Sequence, residues 1–258
     1  MKVILLAGGL GTRLAELTET IPKPMVSIGG KPILWHIMKT FAHYGHREFV
    51  IALGYKGYVI KDFFLSYRYH TSSLTVQTRH GEVTLHPDAR QVEDWTIHLL
   101  ETGMSTGTNG RVCQALTFAG NEPCMMTYGD GVADVDLRRL LEFHRSHGRL
   151  ATVTAVRPPA RFGGLTIEAS GVPELIEKPQ LGEGWINGGF FVLEPGVRDY
   201  VQGDEESFER EPISRLAHDR QLMAYEHHGF WQCMDTLRDQ RLLESLWSQG
   251  NARWKVWP

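Results

Sequence analysis

Three features of the sequence predict an α/β fold: a Rossmann-like, mixed but mainly parallel sheet flanked by helices. Val3 to Ala7 is an unbroken apolar run that stops at Gly8 and Gly9, as a buried strand does when it feeds a loop. Short apolar runs then alternate with amphipathic stretches as far as Val156, the pattern of parallel strands joined by helices. The length of 258 residues suits one such domain, and no linker, repeat or low-complexity segment divides 1–258.

Each element has its own signal. Pro32 opens a helix whose stripe of Ile33, Leu34, Ile37, Met38 and Phe41 ends at Gly45. Phe49 to Leu53 returns as a second buried strand, Tyr58 to Tyr69 is the next expected helix, and Leu74–Arg79 and Glu82–His86 read as strands around His80-Gly81. A strand over Trp95–Leu100 precedes the small-residue loop Thr102–Gly110, and a short helix is expected from Arg111 to Phe118. Met125–Tyr128 is a strand ended by Gly129-Asp130-Gly131, and Asp136 is the expected cap of a helix over Leu137–His147. The second half is richer in strands, at Ala151–Val156, Leu165–Glu168, Phe190–Leu193 and Met223–His227, with helices near Glu211–Asp219 and Leu237–Trp247.

Composition narrows the function classes. Hydrophobic residues make up 42% and charged residues 22%, the balance of a globular chain. With 27 Lys and Arg against 30 Asp and Glu, the net charge of −3 excludes the broad basic footprint of a duplex nucleic-acid binder, so an anion site must be local. Cys113, Cys124 and Cys233 form no C-x-x-C pair, and no apolar run reaches the roughly 18 residues of a membrane span, so a reduced, cytoplasmic protein with no membrane partner is expected. Of the twelve histidines, His144 and His147 lie among Arg138, Arg139 and Arg145 and read as a solvated helix face, not as metal ligands. Trp247, Trp254 and Trp257 read as a tail packed on the body or on a neighbouring subunit.

The chemistry gathers around the first loop. Gly8-Gly9-Leu10-Gly11-Thr12-Arg13 exposes backbone N–H groups to an anion without side-chain obstruction. No Gly-Lys-Ser/Thr closes it as in a Walker A loop, and Leu14 stands where a dinucleotide fingerprint needs its third glycine. A tight strand exit would also explain the glycines. Arg13 on the loop and Lys23 between Pro22 and Pro24, biased there to extended backbone, supply the cations that a polyphosphate needs. Asp130, flanked by glycines after a buried strand, is placed to reach a metal and a triphosphate, although a turn or cap role fits it too.

The string LAGGLGTRL followed by PKPM resembles the signature of the sugar-1-phosphate nucleotidylyltransferases, and YGDG, EKP, INGGFFV and FWQCMDT are similar to that family's later motifs in the same order. GGKPILWHIMK, GYKGYVIKDFF, TYGDGVADVD and GFWQCMDTLRD resemble its glucose-1-phosphate cytidylyltransferase branch, and the likeness spans essentially the whole chain. The resemblance implies the nucleotidyltransferase fold and attack of a sugar 1-phosphate oxygen on the α-phosphorus of a nucleoside triphosphate, CTP in that branch, with pyrophosphate leaving. It implies Mg²⁺ on Asp130 and Asp235, though Asp235 also reads as the cap of the helix starting near Leu237. Arg13, Lys23 and Asp130 become the catalytic candidates, and Leu6, Ala7, Gly8, Gly9, Gly11, Thr12, Tyr128 and Gly129 substrate-binding ones.

The same likeness makes Lys178, beside Glu177, a ligand of the sugar phosphate and places Asn187 and Gly188 in the sugar pocket, where the residues alone also read as a surface turn and a hairpin turn. Thr106 and Arg111 become nucleotide contacts, where Arg111 alone would also read as solvated charge. The family's cytidylyltransferases imply a homo-oligomer. A noncatalytic nucleotide-sugar sensor is a rival reading, disfavoured because it need not keep Arg13, Lys23, Lys178 and both aspartates together.

Overall fold

The computed structural model describes residues 1–86, 92–158, 164–168, 171–176, 184–204 and 207–258. Its central sheet contains β1 (Val3–Leu6), β2 (Glu48–Leu53), β3 (Thr96–Glu101), β4 (Cys124–Tyr128), β5 (Ala151–Val156), β6 (Ile186–Leu193) and β7 (Leu222–His227). They lie in the order β7-β5-β6-β4-β1-β2-β3. Strands β3, β2, β1 and β4 are mutually parallel, with Leu6 opposite both Ala52 and Tyr128. Strand β6 runs antiparallel to both β4 and β5, and β5 pairs parallel with β7.

The all-apolar sequence of β1 follows from its place in the middle of this sheet. Val3 and Leu5 face one core with Phe41, Phe49 and Leu140, and Ile4 and Leu6 face a second core with Val112, Leu116 and Phe191. The first core is covered by α1 (Ile33–His43), with α2 (Gly57–Leu65) beside it, and by α4 (Leu137–His147); the second by α3 (Thr108–Ala119) and α5 (Glu211–His218). A last helix, α6 (Leu237–Ser248), carries Leu243 into the first core. Because β1 and β4 are adjacent and parallel, their C-terminal loops emerge side by side, where open α/β sheets bind ligands.

Several boundaries differ from the sequence reading for local reasons. The helix expected over 58–69 is two pieces, Gly57–Leu65 and Tyr67–Thr71, broken at Ser66. Helix α3 starts at Thr108 and not at Arg111, and β6 starts at Ile186 and not at Phe190. Lys23 opens a 3-10 turn, Lys23–Met25, and the extended backbone falls on Pro22; the Met25 N–H bond to the Pro22 carbonyl (2.8 Å) overrides the pre-proline bias. Asp136 does cap α4, accepting from the backbone N–H groups of Arg138 and Arg139. His144 is not on a solvated face: it is buried, 2.8 Å from Thr152 Oγ1 and 3.2 Å from Glu194 Oε1, while Arg138, Arg139 and Arg145 take the exposed side.

The tail closes over α1. Trp254 is fully buried, and it, Trp247 and Trp257 surround His36 with ring centroids 4.7–6.2 Å away. His36 Nε2 lies 2.8 Å from the Ile28 carbonyl, and the Trp254 indole N–H donates to Nδ1 at 3.4 Å, so the proton sits on Nε2 and the ring is neutral. Burial pushes its pKa from 6.5 down to about 4. The unfolded chain therefore takes up a proton first as pH falls, and the stability His36 gives in its neutral form is lost between pH 6.5 and about 4. Urea unfolding should show stability falling by about 2 kcal/mol between pH 7.5 and 5 from this residue. His36→Phe should flatten that part of the profile; an unchanged profile would contradict the assignment.

Candidate active site

The loops after β1 and β4, the start of α3 and the first residues of β6 enclose a cavity of about 900 Å³. The glycine loop forms its floor. Gly8 lies flat against the guanidinium of Arg111, where a Cβ would collide with it, and Gly11 takes a left-handed backbone (φ 66°) before the 3-10 turn Thr12–Leu14. The Thr18 hydroxyl, 3.0 Å from the Gly11 carbonyl and 3.0 Å from that of Leu14, ties down the far end of the loop.

Four charges converge beside it. The Lys23 ammonium donates to Asp130 Oδ2 (2.6 Å) and Asp235 Oδ1 (2.5 Å), and Arg13 donates to Asp235 Oδ2 (2.7 Å). Lys23 is only 9% exposed; burial works against its charge, yet the Asp130 and Asp235 carboxylates hold its pKa above the ordinary lysine range. Asp235 is likewise pushed up by burial, but Lys23 and then Arg13 hold it below the usual carboxylate range. The two aspartates meet because Gly131–Ala133 pairs antiparallel with Trp231–Cys233, with Asp130 before one strand and Asp235 after the other. The Met234 N–H bond to the Asp130 carbonyl (2.8 Å) closes that end. Asp235 is not the cap of α6: Thr236 is, in a reciprocal box with Asp239, which leaves the Asp235 side chain to the cluster.

Arg111 is 4% exposed and is not solvated charge. Its guanidinium donates to the carbonyls of Leu53 (2.8 Å) and Gly103 (2.9 Å) and to the Thr102 hydroxyl (2.6 Å), fixing the 102–110 loop to the end of β2. Thr106 lines the cavity on that loop. At the other wall, Asn187-Gly188-Gly189 is no hairpin turn. It lies within β6 at a register shift, where Val153 faces Phe191 but Ala155 faces Asn187, and Gly189 takes φ +96°. The bulge brings Asn187 to the cavity, and the Trp231 indole N–H holds the Gly188 carbonyl (2.7 Å).

Leu6, Ala7, Gly9, Thr12, Tyr128 and Gly129 line the same cavity, as do Asp130 and Asp235. Glu177 and Lys178 lie outside the described residues. Among the described residues no group of three or more His, Cys, Asp or Glu side chains clusters as a metal site. Two carboxylates within reach of one ammonium nevertheless make a hard oxygen pair, the donor set of a divalent cation that takes its remaining ligands from phosphates and water.

Residues 2–239 match the model of the family described as Nucleotidyl transferase. The chain belongs to that family. It is 50% identical to the glucose-1-phosphate cytidylyltransferase of Salmonella typhi and 46% identical to the probable glucose-1-phosphate cytidylyltransferase of Bacillus subtilis, each over 258 residues and all of both chains. Among solved structures it resembles HddC from Yersinia pseudotuberculosis complexed with GMP-PN, with a TM-score of 0.68 and 23% identity over 95% of this chain and 99% of that one. It also resembles a UDP-glucose pyrophosphorylase complexed with UDP-glucose, with a TM-score of 0.69 and 16% identity over 96% and 98% of the two chains. These likenesses carry the fold.

Among the cavity residues of this nucleotidyl transferase that escaped the sequence reading are Trp231, Cys233 and Glu209. Trp231 and Cys233 were legible as part of FWQCMDT but only as neighbours of Asp235. Glu209 sits in a run with Glu205, Glu206 and Glu211 that carries no signal beyond solvated charge. Arg111 offers the sharpest structural test, since Arg111→Lys keeps the charge but loses the planar fork. It should destabilise the fold by about 2–4 kcal/mol by leaving buried carbonyls unmatched. A thermal melt unchanged from the parent would refute that role.

Proposed function

We propose that this nucleotidyl transferase acts as one domain over 1–258 and transfers a cytidylyl group from CTP to α-D-glucose 1-phosphate, giving CDP-glucose and pyrophosphate. The observation that carries this is the 50% identity to a glucose-1-phosphate cytidylyltransferase over the whole of both chains. The site chemistry supports it. Nucleotidyl transfer needs in-line positioning and charge stabilisation more than a protein nucleophile, and the cavity offers amide-lined glycine turns and two cations.

In this reading the glycine loop and Arg13 hold the triphosphate, and Lys23 sets its charge against the phosphates. The backbone at Leu6–Gly9 and the loop carrying Thr106 face the base. Asn187 and Gly188 face the sugar, together with Lys178 and Glu177 of the EKP motif. Asp130 and Asp235 would hold Mg²⁺, which supplies neutralisation of phosphate charge when bound. The Lys23 ion pairs hold the two carboxylates at one point of the cavity, and those to Asp235 keep it below the usual carboxylate range.

Exposed Leu74, Val76 and Val83 on the hairpin of Ser73–Gln77 and Glu82–His86 support a homo-oligomer. Free Cys113, Cys124 and Cys233 support a cytoplasmic location.

Pyrophosphate release over a grid of nucleoside triphosphates and sugar 1-phosphates tests the assignment. Cytosine presents an acceptor at N3 and an exocyclic amine where uracil presents the reverse, so a site pairing one leaves groups unpaired with the other. CTP should exceed UTP in kcat/KM by at least about tenfold, or roughly 1.4 kcal/mol. Equal use of both, read by product mass in direct competition, would move the protein to another specificity.

The metal assignment predicts that Asp130→Asn lowers turnover by at least about a hundredfold while the melting temperature moves little, because Asp235 still holds Lys23. Near-normal turnover at saturating Mg²⁺ would refute it.

A further inference from the structure

Of the FWQCMDT string, the chemistry described so far uses only the aspartate. Its alternate residues Trp231, Cys233 and Asp235 all line the cavity, whereas Gln232 is buried and donates to Asp239 Oδ1 (3.2 Å) and Met234 enters the first core. Hydrogen bonds fix both ends of this segment. The Phe230 N–H donates to Asp134 Oδ1 (2.6 Å) and the Asp134 N–H to the Phe230 carbonyl (3.1 Å), while the Met234 N–H reaches the Asp130 carbonyl (2.8 Å). With the ladder between 131–133 and 231–233, residues 130–134 and 230–235 make one hydrogen-bonded piece that carries both Asp130 and Asp235.

Trp231 reaches from this piece to the opposite wall. An indole N–H can only donate, and this one donates to the Gly188 carbonyl (2.7 Å). Gly188 lies in the bulge of β6, where the backbone ladder is interrupted. Pairing with β4 covers Phe191–Leu193, and pairing with β5 shifts register between Val153 and Ala155. Side chains supply donors there: the Thr154 hydroxyl donates to the Phe190 carbonyl (2.7 Å), as Trp231 does to that of Gly188. Gly188 is already pressed against β5, since a Cβ on it would meet Val156 Cγ1 at 2.5 Å and the Thr154 carbonyl at 3.0 Å. Its remaining freedom is toward the cavity, and the indole bond removes it. The Asn187 carboxamide is held separately, accepting from the Gly189 N–H and donating to Tyr128 Oη, so Trp231 acts on the position of the backbone and not on the direction of that amide.

We propose that Trp231 is a positioning residue for the sugar phosphate: through the Gly188 carbonyl, its indole N–H sets the Asn187–Gly188 wall against the piece that carries Asp130 and Asp235. Transfer needs the attacking oxygen about 3–3.5 Å from the α-phosphorus, so the wall that holds the sugar must keep its distance from the groups that hold the phosphates. The N–H is committed to the wall and is not offered to a ligand. This inference rests on the nucleotidyl-transfer reading of the cavity, with the sugar beside Asn187 and Gly188.

The test compares the parent with Trp231→Phe and with a protein carrying benzothienylalanine in place of Trp231, which keeps both rings of the indole but has sulfur where the N–H was. Steady-state kinetics are measured with CTP and glucose 1-phosphate varied separately, and thermal melts establish that each protein is folded at the assay temperature. Both variants should raise KM for glucose 1-phosphate by about tenfold and KM for CTP by less than about twofold. A parental KM for glucose 1-phosphate in the benzothienylalanine protein would overturn the proposal, because the ring and not its N–H would then account for any loss in Trp231→Phe. Equal rises in both KM values would also overturn it, as a general loosening of the cavity. If Trp231→Phe does not fold, the benzothienylalanine protein decides alone. Absence of nucleotidyl transfer by the parent protein on any sugar phosphate would overturn both readings, whereas an active parent with an unaltered benzothienylalanine variant overturns only this one.

Discussion

Two carboxylates, Asp130 and Asp235, stand where they would repel one another, and the ammonium of Lys23 lies between them at 2.6 and 2.5 Å. That arrangement depends on parts of the chain 107 and 212 residues apart from the lysine. It therefore requires nearly every element of the fold. The turn at Pro22–Met25 must lift Lys23 inward, β4 must release Asp130 beside the end of β1, and the two-stranded piece joining 131–133 to 231–233 must return Asp235 to the same point. With the partners in place, a lysine that is 9% exposed keeps its charge. Without them the same burial would favour the neutral amine, because desolvation alone lowers a lysine pKa.

This dependence explains why so much of the capping and tail structure lies close to the chemistry. Thr236 and Asp239 satisfy the first turn of α6, so Asp235 is released from a role the sequence equally allowed it. At the other end of α6, Glu244 accepts from the Gly29 backbone N–H and Trp247 stacks edge-on against His36, fixing α6 to the segment that follows Lys23. The neutral, buried His36 is thus part of the frame that joins α6 and the tail to the segment that follows Lys23.

Periodicity and punctuation made the sheet and most helices legible. The double-sided apolar run of β1, the glycine exit after it and the stripe beginning at Ile33 each state a local constraint that the tertiary structure keeps. What could not be read was settled by hydrogen bonds and pairings that propensity and periodicity do not encode. Pre-proline bias at Lys23 yielded to a turn closed by the Pro22 carbonyl. His144 looked solvated because its arginine neighbours are, but three-residue spacing also places it and His147 against Thr152 of β5. The glycines at 188 and 189 read as a turn, whereas they make a bulge inside a strand that is paired on both sides. Arg111 shows the same limit: nothing local distinguishes an arginine that binds four backbone and hydroxyl oxygens from one in water.

Residues inside motif strings and residues outside them meet at the same cavity. Asp130, Lys23 and Asn187 sit in strings that resemble a family. Glu209 and Thr108 face the same cavity from a charged segment and a helix start with no distinctive neighbours. A carboxamide has one acceptor end and one donor end, so a single fixed N–H, that of Gly189, makes Asn187 Oδ1 the acceptor and Nδ2 the donor to Tyr128 Oη. The left-handed backbone of Gly189 places that N–H, which makes a conformational requirement at one glycine the origin of polarity at the Asn187 wall of the cavity.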